Sequence, residues 1–90
     1  MAKFVSIITF SADTEKRLEI RPKHREYLTQ LLEQGKLHES GPFVDDTGAL
    51  IIYEAADETE ARALIAADPY AGTGVIADSQ LREWKRVFPA

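Results

Sequence analysis

The chain has 90 residues, 15 acidic and 11 basic, giving a formal charge of −4 at pH 7, and it contains no cysteine. A single domain of this length buries about 60–65% of the surface its unfolded chain exposes, enough for one core. The missing cysteine excludes disulfides, thiol nucleophiles and thiolate metal sites. Basic residues gather only at Arg82, Lys85 and Arg86, which argues against nucleic acid or an anionic membrane as a partner for the whole surface.

Phe4 to Phe10 is rich in β-branched and aromatic residues and reads as a first strand. It is too short to span a membrane and lacks a following small-residue cleavage pattern, so the default location is the cytoplasm. Ser11 to Arg17 is polar and reads as a loop. A helix is expected from about Ile20, entered through Pro22 at its first position, where a missing N–H costs nothing. The helix stops at Gly35, a left-handed C-cap. Lys36 to Phe43 reads as the second strand, interrupted by Ser40-Gly41-Pro42. Asp45-Asp46-Thr47-Gly48 is a turn in which Gly48 can supply positive φ. Ala49 to Ala55 is the third strand and pairs with the second as a hairpin. Asp57 to Glu60 spells a capping box that opens a second helix with Ala61, Leu64 and Ile65 on its apolar face. Pro69 closes that helix. Val75 to Phe88 holds the last strand, expected to end at Val87 or Phe88.

The order β-α-β-β-α-β is that of an α+β, ferredoxin-like domain over residues 1–90: a four-stranded antiparallel sheet with two helices on one face. Strands one and three carry apolar residues on both sides. A second copy packing sheet to sheet would cover the open face as an isologous homodimer. Scattered exposed apolar side chains are the alternative.

From His24, the positions three, four and seven residues on are Tyr27, Leu28 and Leu31, which place the imidazole on the apolar face of the first helix. Lying one turn from the helix start, it would be favoured in its neutral form by the macrodipole. Asp68 continues the apolar stripe of the second helix at its C-terminal end, a doubly unfavourable place for a carboxylate. Two readings stay open. Together the two residues would make a proton-transfer pair; separately, Asp68 caps the turn at Pro69 and His24 is a hydrogen-bonded core residue. Arg21, with the free N–H groups of a helix N-terminus, could hold an anionic substrate or be a solvated surface charge. Tyr70 could donate from its phenol or simply pack. Ser40 and Gly41 could line a cleft or bulge the strand. His24 and His38 lack metal-ligand spacing, so no metal site is expected. Asp45-Asp46 is most simply a solvated turn. Trp84 is expected to pack in the dimer or the core.

Arg21-Pro22-Lys23-His24 resembles the R-P-x-H motif of the YCII (YciI-like) family. Gly35 before a strand ending in Ser40-Gly41-Pro42, then Ala67-Asp68-Pro69-Tyr70, then Trp84-Lys85-Arg86-Val87-Phe88, match that family in order. The resemblance implies a dimeric α+β barrel. It also implies that the histidine of R-P-x-H and the aspartate of D-P-Y, here His24 and Asp68, face a common cleft as the active-site pair. Relatives include dehydrochlorinases acting on chlorinated hydroxyquinones, and the wider barrel group includes muconolactone isomerases and cofactor-free monooxygenases. The short hairpin at Val44 to Gly48 departs from longer members, so substrate identity does not carry over.

The expectation is therefore a small enzyme without a cofactor, of isomerase, lyase or dehydrochlorinase type, acting on a small aromatic or lactone-like acid. His24 would move the proton, Asp68 would orient the ring, and Arg21, Tyr70, Ser40 and Gly41 would bind the substrate. The alternative is a dimer that binds a small anion, in a regulatory role, without transforming it.

Overall fold

A computed structural model of the chain, describing residues 1–89, contains six elements. They are β1 (Ala2–Phe10), α1 (Thr14–Glu33), β2 (Leu37–Pro42), β3 (Gly48–Ala55), α2 (Glu58–Ala66) and β4 (Ile76–Trp84). The strands form one four-stranded antiparallel sheet in the order β2-β3-β1-β4. This is the expected β-α-β-β-α-β arrangement. Phe4 lies opposite Tyr53 and Ile8 opposite Ala49. These side chains share one sheet face with Ile51 and Ala55 and are sealed by Leu28 and Leu31 of α1 and Ala61 of α2. The period of two along each strand and of three to four along each helix puts these residues on facing surfaces.

The first helix begins earlier than Pro22 suggests. Asp13 caps it, its carboxylate accepting from the Lys16 N–H at 3.1 Å, and residues from Thr14 onward are helical, including part of the segment expected to be a loop. Pro22 sits inside the helix. Its ring removes a hydrogen bond to the carbonyl of Leu18, a residue 46% exposed. Two arguments drawn from an N-terminal Pro22 fall with it. His24 is deep within α1, beyond the reach of the helix dipole, and Arg21 has no free N–H groups beside it.

Positive φ in the β2–β3 turn falls on Asp46 (φ 62°), not on Gly48. Gly48 is required by close approach instead: a Cβ there would collide with the backbone carbonyl of Ile8 across the β1–β3 pair. The α2 capping box forms as expected, Asp57 accepting from the Glu60 N–H at 2.9 Å. The last strand ends at Trp84, short of Val87 and Phe88, because Trp84 pairs with Lys3 and β1 starts only one residue before that. Trp84 lies outside the helix-covered core. With Val5, Ile7, Leu50 and Ile52 it lines an apolar groove on the open face of the sheet. Among the described residues no helix is long and apolar enough to cross a membrane.

Candidate active site

The sheet topology decides which ends meet. β1 and β2 run one way and β3 and β4 the other, so α1 descends from the end of β1 while α2 climbs back to the start of β4. The N-terminal half of α1, the C-terminal end of α2, the end of β2 and the β2–β3 turn therefore converge at one edge of the sheet. A cavity of about 200 Å³ opens there.

His24 reaches across to Asp68, with Nδ1 2.8 Å from both carboxylate oxygens. The side chains are only 11% and 7% exposed. Asp68 stands just past the end of α2, where Pro69 stops the helix, and its Oδ1 also accepts from the backbone N–H of Tyr70 at 2.9 Å. A carboxylate so placed accepts the Nδ1–H of the imidazole, so that in the neutral ring the lone pair is on Nε2. Among the described residues nothing hydrogen-bonds Nε2, and His24 lines the cavity. The Tyr70 ring stacks on the imidazole and meets Phe10 edge-on at 6.3 Å.

Three guanidinium groups stand on the same side of the cavity, Arg17, Arg21 and Arg25, four residues apart along α1. Arg17 is buried, lies 4.4 Å over the Phe10 ring and pairs with Asp46 of the β2–β3 turn at 2.8 and 3.4 Å. Burial pushes the Tyr70 phenol above its ordinary pKa, with Asp68 adding to the rise, while the three arginines pull it back. Burial, with Asp68 again adding, also raises Tyr27, whose hydroxyl donates to the Leu64 carbonyl at 2.5 Å and ties α1 to α2. Among the described residues no cluster of three or more His, Asp or Glu side chains forms that would hold a metal ion.

All six residues singled out from the sequence come together here. His24, Arg21, Tyr70, Ser40 and Gly41 line the cavity, and Asp68 stands behind His24. Ser40 and Pro42 lie opposite Ile51 and Ala49 on the helix side of the sheet, which puts the β2 end into the cavity wall. Arg17, Arg25, Phe10 and Asp46 are additional lining residues. The four-residue spacing of the arginines is a signal for the first two, hidden once Pro22 is taken as the helix start. Asp46 is the exposed turn residue expected, its side chain 58% exposed, and it also pairs with the buried Arg17.

The sequence pattern of the YCII-related domain matches residues 2–85. The chain is 36% identical over 84 residues to the protein YciI of Escherichia coli O6:H1, covering 82% of this chain and 86% of that one. The YciI protein of Shigella flexneri matches to the same extent. A solved structure of similar fold is the 5-chloro-2-hydroxyhydroquinone dehydrochlorinase of Burkholderia phenoliruptrix AC1100 in complex with 2,5-dihydroxybenzoquinone. Its TM-score is 0.81 at 24% identity, covering 92% of this chain and 93% of that one. Matched over nearly its whole length, the chain belongs to the YCII-related domain family.

Proposed function

We propose that the protein is a small enzyme that moves a proton on a small anionic, ring-containing substrate, with His24 as the base and Asp68 as its orienting partner. One observation carries this: His24 Nδ1 is clamped 2.8 Å from both oxygens of Asp68 while the same ring lines an arginine-rich cavity. Nε2 would take a proton from a carbon beside a carbonyl or from a ring hydroxyl, and Asp68 would oppose the imidazolium charge that results. The electron pair left behind would develop on an oxygen facing Arg21, Arg25 and the Tyr70 phenol. Returning the proton to another carbon completes an isomerisation. Expelling a chloride from the neighbouring carbon completes an elimination, with the proton left on His24 and released to water. The dehydrochlorinase of similar fold makes the second reaction type a natural first assay.

The test is turnover of a panel of chlorinated hydroxyquinols and unsaturated lactone acids. A substrate consumed by the wild type and untouched by a folded His24→Ala variant is the expected result. Unchanged turnover in that variant rules the mechanism out. Tight binding without turnover, insensitive to His24→Gln, would assign the cavity to anion binding alone. We propose further that a second copy covers the apolar open face, making the protein a homodimer through Val5, Ile7, Leu50, Ile52 and Trp84.

A further inference from the structure

We propose that Asp46 sets the charge of the ligand: by neutralising Arg17 it leaves the cavity a net charge of one, so that monoanions are selected over dianions. The assignment rests on the cavity being the substrate site but concerns binding, not proton transfer.

The three arginines are not equivalent. Arg17 is 5% exposed and already paired, whereas Arg21 and Arg25 have no carboxylate within ion-pair distance among the described residues. Counting the charged groups at the cavity, three guanidinium charges less the carboxylates of Asp46 and Asp68 leave a single positive charge with His24 neutral. One carboxylate or enolate balances that charge. A second anionic group would carry the cavity past neutrality and meet the repulsion of Asp46 and Asp68, weakened by solvent at the 58% exposed Asp46 and less so at the buried Asp68. Leu28, Ala49 and Ile51 line the same cavity and offer the body of the ligand only apolar contact. Asp46 comes from the β2–β3 turn with φ 62°, a conformation Asp and Asn tolerate better than other non-glycine residues. Arg17 keeps a buried Nε–H without a partner, so its hydrogen-bonding capacity is not exhausted by Asp46.

The experiment is calorimetric titration with benzoate and phthalate, ring acids of one and two charges, near pH 7.5. The wild type should bind benzoate more tightly. Asp46→Asn keeps the turn geometry and frees one positive charge. It should move the benzoate-to-phthalate affinity ratio about tenfold towards phthalate, the effect of one unit charge at a partly screened site. Arg17→Met removes the cation, keeps a long apolar side chain over Phe10, and should move the ratio the opposite way. It serves also if Asp46→Asn fails to fold. A ratio that stays within twofold of wild type in the folded variants, or a wild type that binds neither acid, overturns the proposal. A protein that binds by this charge rule yet turns nothing over would refute the enzymatic reading alone.

Discussion

The Tyr70 ring lies flat against His24, centroids 4.0 Å apart and planes inclined by 14°, while the Tyr70 backbone N–H holds the carboxylate that holds the imidazole. One residue thus fixes both members of the pair, the ring by stacking and Asp68 by a hydrogen bond. The contacts continue outward. Tyr70 touches Phe10, Phe10 lies under Arg17, and Arg17 is tied to Asp46 on the β2–β3 turn. The imidazole is packed from the cavity floor to its mouth, which is what a base needs if it is to keep one tautomer and one direction.

Asp68→Asn should separate orientation from charge. The amide keeps the shape and one acceptor oxygen but cannot oppose an imidazolium. Turnover of a discovered substrate should fall by about 10²-fold or more, the scale on which general acid–base catalysis contributes. Nitrogen NMR of His24 should show the Nδ1–H tautomer losing its dominance. A variant with wild-type rate and wild-type tautomer would remove Asp68 from the mechanism.

His24 and Asp68 were legible in the sequence because each interrupts an otherwise apolar helical stripe, and a stripe is periodic. The β-α-β-β-α-β order of elements along the chain was legible for the same reason. Arg17 and Asp46 were not. Their contact joins residues 29 apart through a turn, and no period marks it. Pro22 compounded this, since a proline at a first helical position and one inside a helix look alike until the cap is known. Asp13 made the difference, its carboxylate stabilising a helix start by about 1 kcal/mol eight residues before the R-P-x-H motif.

Pro22→Ala should therefore stabilise the protein. Proline inside a helix costs about 3 kcal/mol. Losing proline's restriction of the unfolded chain gives back up to about 1 kcal/mol. A net gain near 2 kcal/mol is expected in urea unfolding, with the new N–H donating to the Leu18 carbonyl. Unchanged or lowered stability would mean that the pyrrolidine ring is packed better than its position in the helix suggests.

Gly48→Ala should do the reverse. The added methyl meets the Ile8 carbonyl, backbone held in the β1–β3 ladder and unable to swing aside. Overpacking of this kind costs about 1–3 kcal/mol, and the upper end is expected here. Gly41→Ala is the control, since a Cβ there meets nothing within 4 Å. Equal stability of the two variants in thermal unfolding would show that the β3 end relaxes freely.

The homodimer is tested by sedimentation. Wild-type protein at tens of micromolar should sediment as a dimer, and Ile7→Glu, at a position 38% exposed on the single chain, should sediment as a folded monomer. A charge placed in the middle of an apolar interface is desolvated without a partner. Monomeric wild type at that concentration would leave the open face uncovered by a second copy.

Tyr53 sets the response to alkali. It is 1% exposed, and burial drives its phenol far above the ordinary value of 10.0, with Asp68 and then Tyr27 adding to the rise. Below pH 10 the phenol is protonated in both the folded and the unfolded chain, and the stability it contributes is fully present. Above that, the unfolded chain releases the proton while the folded chain keeps it. Stability then falls with rising pH, by up to about 1.4 kcal/mol per pH unit, until the folded-state value is passed. Tyr27 and Tyr70, also raised, act in the same direction and start from the same pH. Urea unfolding between about pH 9 and pH 11 should show Tyr53→Phe losing stability less steeply than wild type. Parallel slopes for the two proteins would mean that the Tyr53 phenol ionises in the folded chain as readily as in the unfolded one.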